Sequence, residues 1–440
     1  MVAAGCGGGK LPPARDAAGL LQAADEDLRS NRAEAAQRSY EAALQLEPLL
    51  LPAVRGRIES ARRRGALPAI VAEAAARAEA NPQDALSFYT LGLARFGQGE
   101  EKTAAQALRR ADELKPDEAD FHFRLGVLLF DGEHFAEAKA PLQRAVDLAP
   151  RAPRYRPPLA ACLARLGDRR AAVQVLRTVP DLSPTADEAS LAVKTARTLA
   201  DPFRDVPQPA RADLELALGY LLRDAPGLAL PYLEGLVAKF PELASAHALL
   251  GLTAQRLDEA GRAVTELQKA AELAPDSAQP HLYLAELYAS RDRPELAEQE
   301  YAAALERDPL DVSTLRKLGE LRLARSGPSA NAQPAVEPLH RAAALSPADT
   351  GLQLLLARAE AQSGQAPAAR ARLEGLADKR PDDAEVLLRL AMLLYEERGN
   401  AAASAREQLT ERLQALLEKV LALQPQNAAA SRLLTALRSG

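Results

Sequence analysis

The sequence is short of the residues on which several common protein classes depend. Its 440 residues include no tryptophan, two cysteines and only 4% aromatic residues. Two cysteines, Cys6 and Cys162, cannot build a disulfide framework. No apolar run of about 18 residues occurs, so no segment is predicted to span a bilayer. The formal net charge is −5 with both signs interspersed, so composition gives no reason to expect a nucleic-acid partner.

Motifs for metal binding and catalysis are also missing. The five histidines and two cysteines show neither C-x-x-C nor H-E-x-x-H spacing, and we therefore predict no metal site and no cofactor. The GCGGGK stretch at residues 5–10 lacks the spacing and the following Ser or Thr of a phosphate-binding loop. No carboxylate pair is distinctive, so we expect no catalytic residues and no enzymatic activity.

Proline, in contrast, recurs at a fixed interval. Near-copies of one phrase, such as LQKAAELAPDSA at 267–278 and LRRADELKPDEA at 108–119, each carry one. A proline costs about 3 kcal/mol inside a helix, so prolines in phase predict helix ends. Intervals of 34 residues separate these prolines within two series: Pro48, Pro82, Pro116, Pro150 and Pro184, then Pro207, Pro241, Pro275 and Pro309.

Each period holds two helical patterns joined by a charged or glycine-rich turn. Glycine occupies one place of the first helix in four periods, at Gly92, Gly126, Gly251 and Gly319. A larger side chain there would hold the paired helices apart, and such overpacking costs about 1–3 kcal/mol. The pattern predicts close approach of the two helices at this place.

At this spacing the sequence resembles the tetratricopeptide repeat family. Residues 278–311 carry the family's pattern of large residues, small residues and a proline: His281, Leu284, Ala285, Tyr288, Ala297, Tyr301, Ala304 and Pro309. About eleven such periods follow one another between residues 17 and 427. The resemblance implies an all-α fold, a right-handed superhelical α-solenoid of about eleven helix pairs plus a C-terminal capping helix.

The period also predicts how the chain is divided. We expect a tether at 1–16, repeats 1–5 at 17–186, an irregular helix and loop at 187–209, repeats 6–11 at 210–427 and a capping helix at 428–440. Prolines out of phase predict local departures. Pro157 and Pro158 should begin a shortened helix, whereas kinks or late helix starts are expected at Pro141, Pro231 and Pro338.

Two groups of polar residues allow more than one interpretation. His122, His247 and His281 share a place where the family packs a bulky residue, so we predict structural roles for them rather than catalysis. Arginines are concentrated near the second repeat, at Arg55, Arg57, Arg62, Arg63 and Arg64. They indicate either a solvated helix face or contact with an acidic or phosphate-bearing partner.

In the family, the first helices of the pairs line a concave face that holds the ligand. The resemblance implies candidate partner-binding residues along this line: Tyr89, Leu93, Phe96, Phe123, Val127, Phe130, Leu214 and Leu218. Some of these must pack against neighbouring helices. The others would form an apolar groove suited to an amphipathic helix or an apolar peptide of a protein partner.

Residues 3–6, Ala-Ala-Gly-Cys, resemble the lipobox of bacterial lipoproteins. Cys6 is therefore a lipidation candidate, and a lipid-anchored place in the bacterial cell envelope, with the outer membrane favoured, is expected. Only five residues precede Cys6, fewer than a signal peptide needs, so a cytoplasmic location stays open. A start codon assigned too late would explain the short leader.

We therefore predict a non-enzymatic scaffold for protein–protein interactions, supporting assembly or export machinery of the envelope. Any contact with the membrane would be through the lipid anchor alone. Two alternatives stay open: a soluble cytoplasmic adaptor, and a repeat region related to O-linked glycosyltransferases without a catalytic domain.

Overall fold

The computed structural model describes residues 16–199, 206–326, 332–400 and 402–439. Within these ranges the chain forms 24 α-helices, two 3-10 turns and no β-strand. None of the described helices is long and apolar enough to cross a membrane. The helices are α1 (Ala17–Arg29), α2 (Ala33–Leu46), α3 (Leu51–Arg63), α4 (Leu67–Ala80), α5 (Ala85–Gly97), α6 (Glu101–Leu114), α7 (Ala119–Asp131), α8 (Phe135–Leu148), α9 (Arg156–Arg165), α10 (Arg169–Arg177), α11 (Ala186–Leu199), α12 (Gln208–Leu222), α13 (Pro226–Lys239), α14 (Ala244–Arg256), α15 (Ala260–Leu273), α16 (Gln279–Ser290), α17 (Pro294–Arg307), α18 (Val312–Ser326), α19 (Gln333–Leu345), α20 (Thr350–Gln362), α21 (Ala366–Lys379), α22 (Ala384–Asn400), α23 (Ala403–Leu423) and α24 (Ala428–Ser439).

Two compact units make up the chain. The first extends to Asp168 and the second begins at Arg169, between α9 and α10. The sequence places its irregular segment later, at 187–209. Within each unit, most helices pack on those next to them in the chain, so a seam of buried residues lies between successive helix pairs; α11 instead packs on α10 and α19. The all-α solenoid predicted from the sequence is confirmed.

Recurring residues set the ends of the helices. Each in-phase proline of the regular repeats follows a second helix, as Pro275 follows α15, which ends at Leu273. Several first helices begin at an aspartate cap; the Asp16 carboxylate accepts a hydrogen bond from the Gly19 amide at 2.8 Å. Several turns after a first helix need a left-handed residue, and glycine supplies it at four of them: Gly65, Gly99, Gly167 and Gly364.

The predicted close approach within pairs is confirmed at all four glycines. A Cβ added at Gly92 would lie 2.6 Å from Leu108 Cγ, and one at Gly251 would lie 2.5 Å from Leu267 Cγ. Gly126 and Gly319 meet Leu142 and Leu339 in the same way. Each leucine is buried, so glycine at this place lets one leucine of the second helix fill the space between the two helices.

The predictions at out-of-phase prolines had mixed outcomes. Pro157 and Pro158 lie in the first turn of α9, which has 10 residues, as predicted. Of the two alternatives at Pro141, a late helix start is wrong, because Pro141 lies inside α8, which already begins at Phe135; a kink there stays a prediction. A proline there removes one backbone hydrogen bond, and the packing of the seam evidently outweighs that loss.

The C-terminal helix behaves as the predicted cap. Leu434 and Leu437 of α24 are buried in a cluster with Leu413, Leu417 and Val420 of α23. The long α22 and α23, of 17 and 21 residues, lie between Pro381 and Pro425, which are 44 residues apart instead of the usual 34.

Candidate functional site

The first-helix surface of the first unit, formed by α3, α5, α7 and the 3-10 turn Pro153–Tyr155 that precedes α9, carries most of the candidate binding residues. Tyr89, Leu93 and Phe96 lie on α5, and the equivalent Phe123, Val127 and Phe130 lie on α7. The remaining two candidates, Leu214 and Leu218, lie on α12 in the second unit.

Three of the candidates are enclosed within the seam. The Tyr89 ring stacks on Phe121 at 4.5 Å between centroids and is fully buried. Phe123 lies 4.9 Å from the Tyr155 ring and is buried, as is Leu214 in the core of α12–α14. Tyr89 contacts Phe121 of the next first helix, and Phe123 contacts Tyr155 of the turn before α9. Both side chains therefore pack between neighbouring repeats and do not face a groove.

The other five candidates keep part of their surface exposed. Leu93, Phe96, Val127, Phe130 and Leu218 are half-buried. Phe130 packs edge-on against Phe135 at 5.3 Å, and the residue as a whole stays partly exposed. On α5 and α7 the exposed apolar surface is therefore narrower than the sequence alone indicates, and the binding role of these residues stays a prediction.

A carboxylate that the sequence did not single out lies beside these aromatic residues. Asp120 lies in the first turn of α7 and is only 2% exposed. Its Oδ2 accepts a hydrogen bond from the Tyr89 hydroxyl and lies 2.9 Å from Arg55 Nη1. Burial and the Asp120 charge raise the pKa of Tyr89, so this phenol remains a neutral donor.

Two further guanidinium groups approach the same carboxylate. Arg124 Nε lies 3.7 Å from Asp120 Oδ2, and Arg154 Nη2 lies 3.5 Å from Oδ1. Each also lies over an aromatic ring, Arg124 over Phe123 at 5.2 Å and Arg154 over Tyr155 at 4.7 Å. The arginine cluster, which we define as Arg55, Arg124 and Arg154 around Asp120, thus joins α3, α7 and the turn before α9.

The cluster explains one of the arginines noted in the sequence and shows what sequence reasoning missed. Burial alone would lower the pKa of Arg55, but the facing Asp120 raises it. Arg57 instead pairs with Glu41 at 3.4 Å and with Glu73, while Arg62 and Arg63 share Glu59. One sequence signal could have pointed to the cluster: Asp120 precedes Arg124 by four residues at the start of a first helix.

His122 and His247 have the structural roles predicted for them. His247 Nε2 lies 3.0 Å from the Pro241 carbonyl oxygen and Nδ1 lies 2.7 Å from Glu266. His122 repeats the first contact with Pro116 at 2.9 Å. Both side chains are buried, so they tie a first helix to the loop before it.

The described residues contain no group of three or more His, Cys, Asp or Glu side chains that could hold a metal ion. Cys162 is buried, its thiol 3.2 Å from the Phe135 carbonyl oxygen, and burial raises its pKa. It is therefore a poor nucleophile. Cys6, the lipidation candidate, lies outside the described residues.

A cavity of about 310 Å³ lies between the first three helix pairs. Charged side chains form much of its wall, and Arg57 neutralises Glu41 and Glu73 within it. The cavity is thus lined by closed ion pairs, unlike the half-exposed aromatic residues of the first-helix surface.

Comparison with known proteins identifies the repeats. Three family models, each described as tetratricopeptide repeat, match residues 14–187, 248–312 and 330–393. No curated protein matches the sequence. The chain therefore contains tetratricopeptide repeats in both units, as the sequence pattern indicated.

Several solved structures are similar to this chain at low identity. YrrB, a protein of the same repeat class with an unusual peptide-binding site, is 18% identical with a TM-score of 0.38, covering 46% of this chain and 96% of its own. Yeast Tom70 is 14% identical with a TM-score of 0.30, covering 96% and 95%. A thermophilic protein of Thermus thermophilus is 20% identical with a TM-score of 0.33, covering 42% and 98%.

Proposed function

We propose that this protein is a non-enzymatic scaffold that binds a protein partner through the first-helix surface of its first unit. The observation that carries the proposal is the row of half-buried apolar side chains on two consecutive first helices, Leu93 and Phe96 on α5 and Val127 and Phe130 on α7. Apolar side chains exposed together on a soluble surface are typical of interaction sites.

The spacing of these side chains favours an amphipathic or apolar helical segment as the partner. Residues 93 and 96, and residues 127 and 130, are three apart in the chain and therefore lie on one side of each helix. Two such ridges side by side form a shallow apolar strip, which suits the apolar side of a helix.

A place in the bacterial cell envelope is part of the same proposal. It rests on the residues Ala-Ala-Gly-Cys at 3–6, which resemble a lipobox with Cys6 as the lipidated residue. An N-terminal peptide of the cell-derived protein carrying a diacylglycerol-modified Cys6 in mass spectrometry would support it. An unmodified peptide that still begins at Met1 would favour the cytoplasmic adaptor.

Site-specific photo-crosslinking in cells tests the binding surface. A photoreactive phenylalanine analogue is placed at Phe96 or Phe130 and, as a control on a second helix of the same unit, at Leu46, which is 57% exposed. The proposal expects one crosslinked species of the same mass from Phe96 and Phe130 and none from Leu46. Identical products from all three positions, or none from any, would reject this surface as the binding site.

A further inference from the structure

The arginine cluster leaves positive charge unbalanced on the first-helix surface. Three guanidinium groups lie within 4 Å of a single carboxylate, at the 2.9, 3.7 and 3.5 Å contacts of Asp120 with Arg55, Arg124 and Arg154. Counting full charges, three cations against one anion leave a surplus of two.

Three other carboxylates on or next to α3, α5 and α7 have partners of their own. Glu59 of α3 is held by Arg62 and Arg63, and Asp84 caps α5 by accepting from the Leu86 amide. Glu118, beside Asp120, pairs with Lys115 at 3.5 Å. The surplus is therefore not cancelled by these carboxylates.

Burial divides the cluster into a fixed base and an open rim. Asp120 and Arg55 side chains are 2% and 20% exposed, whereas those of Arg124 and Arg154 are 31% and 43% exposed. A partly desolvated guanidinium interacts more strongly with an anion than one in bulk water.

We propose that Arg124 and Arg154, held over the Asp120–Arg55 base, bind a carboxylate side chain of an acidic peptide segment. This inference rests on the proposed function, because the acidic residue would belong to the protein partner that contacts Phe96 and Phe130. A carboxylate matches the planar fork of arginine donors. A segment with acidic residues beside apolar ones would meet the arginine rim and the apolar strip of α5 and α7 together.

Fluorescence anisotropy with three probes tests the site on the full chain: fluorescein-labelled hexaglutamate, labelled hexaglutamine, and inorganic phosphate as competitor. The variant is Arg124→Gln/Arg154→Gln, and the control is Arg109→Gln/Arg110→Gln. Arg109 and Arg110 are also half exposed, at 48% and 40%, but lie on α6 and pair with Glu137 and Glu113. Both double variants lower the net charge by two, so they separate a local site from diffuse attraction.

Hexaglutamate is expected to bind, hexaglutamine is not, and the affinity should fall as salt rises from about 50 to about 300 mM. Arg124→Gln/Arg154→Gln should weaken hexaglutamate binding roughly tenfold or more, with no change for the control and an unchanged melting curve for both. Equal loss in the control, binding of hexaglutamine, or no binding of hexaglutamate would overturn the inference. So would displacement of hexaglutamate by phosphate at equal concentration, since the site would then prefer a free anion.

Failure here is separable from failure of the proposed function. Crosslinks from Phe96 and Phe130 depend on the apolar strip and need no free arginine. Crosslinks without hexaglutamate binding would remove the carboxylate site and keep the scaffold. Hexaglutamate binding without crosslinks would keep the anion site and remove the partner surface.

Discussion

Leu216 on α12 is 41% exposed, whereas Leu250 on α14, which holds the same place one period later, is 2% exposed. The same place is 0–6% exposed in six other regular repeats: Leu91, Leu125, Leu284, Leu318, Leu356 and Leu390. α12 packs chiefly on α13 and α14. Its sequence is that of an interior repeat, yet the side of α12 that carries Leu216 stays largely exposed among the residues that the structure describes.

The contrast predicts different costs for one substitution. Leu250→Ala should lower the free energy of unfolding by about 2–5 kcal/mol, because it leaves a cavity in the seam. Leu216→Ala should cost about 1 kcal/mol or less, since little buried surface is lost. Urea unfolding of the two variants measures both. Equal losses would mean that the α12 side is covered in solution.

A second prediction uses the close approach of paired helices. Gly251→Ala should destabilise, because its Cβ would lie 2.5 Å from Leu267 Cγ and 3.2 Å from the Ala263 carbonyl oxygen. The cost should be about 1–3 kcal/mol, and hydrogen exchange should show the loss of protection concentrated in α14, α15 and their neighbours. Gly235 of α13 has nothing within 4 Å of an added Cβ, so Gly235→Ala should stabilise by about 0.5–1 kcal/mol. Destabilisation by both substitutions would contradict this account.

A third prediction concerns a buried ion pair in the second unit. Glu360 is 3% exposed and accepts two hydrogen bonds from Arg372, at 3.0 and 2.8 Å. Arg372→Met leaves that carboxylate buried without its partner and should cost about 3–5 kcal/mol. The exposed pair Arg389–Glu385 is the control, where Arg389→Met should cost about 1 kcal/mol or less. A small loss from Arg372→Met in thermal unfolding would show that Glu360 finds water or another donor.

Asp308, at the end of α17, gives a prediction about pH. Burial raises its pKa to about 6, with the nearby Asp311 adding to the effect. In the unfolded state the same carboxyl group has a pKa of about 3.9. Between about pH 4 and 6, therefore, Asp308 is still protonated in the folded state and already ionised in the unfolded state. Stability from this group is full below about pH 4 and is lost as pH rises through about 6.

Asp308→Asn should remove the loss of stability at higher pH, because asparagine does not ionise. It keeps an acceptor for the Leu310 amide, which lies 3.3 Å from Asp308 Oδ1. We expect the variant to be more stable than the parent by about 1–2 kcal/mol at pH 8 and nearly equal to it at pH 4. Urea unfolding at the two pH values compares them. A larger gain at pH 4 than at pH 8 would reverse the sign and refute the raised pKa.

Features that recur in every repeat could be predicted from the sequence, whereas contacts between different repeats could not. Pro275 and the Gly251–Leu267 contact follow from local rules that hold in every period, so helix ends and pair packing could be predicted. The burial of Tyr89 could not, because its place in the repeat gives a direction and not the identity of the helix that covers it. Leu216 shows the same limit, since its place in the repeat does not say whether another helix covers it. Asp120 was missed because its partners come from three separate repeats.

The last prediction separates packing from binding on the first-helix surface. Phe121 is 2% exposed and stacks on Tyr89, so Phe121→Ala should cost about 3–5 kcal/mol. Phe96 and Phe130 are half-buried, and each replacement by Ser should cost less, with helix content nearly unchanged by circular dichroism. If the proposed surface is correct, Phe96→Ser/Phe130→Ser no longer co-purifies with the partner that photo-crosslinking identifies. Its melting temperature should stay close to that of the parent.

Retention of the partner by this variant would rule out the apolar strip. A melting temperature as low as that of Phe121→Ala would instead place both rings among the packing residues, because partly exposed rings cannot create cavities of that size.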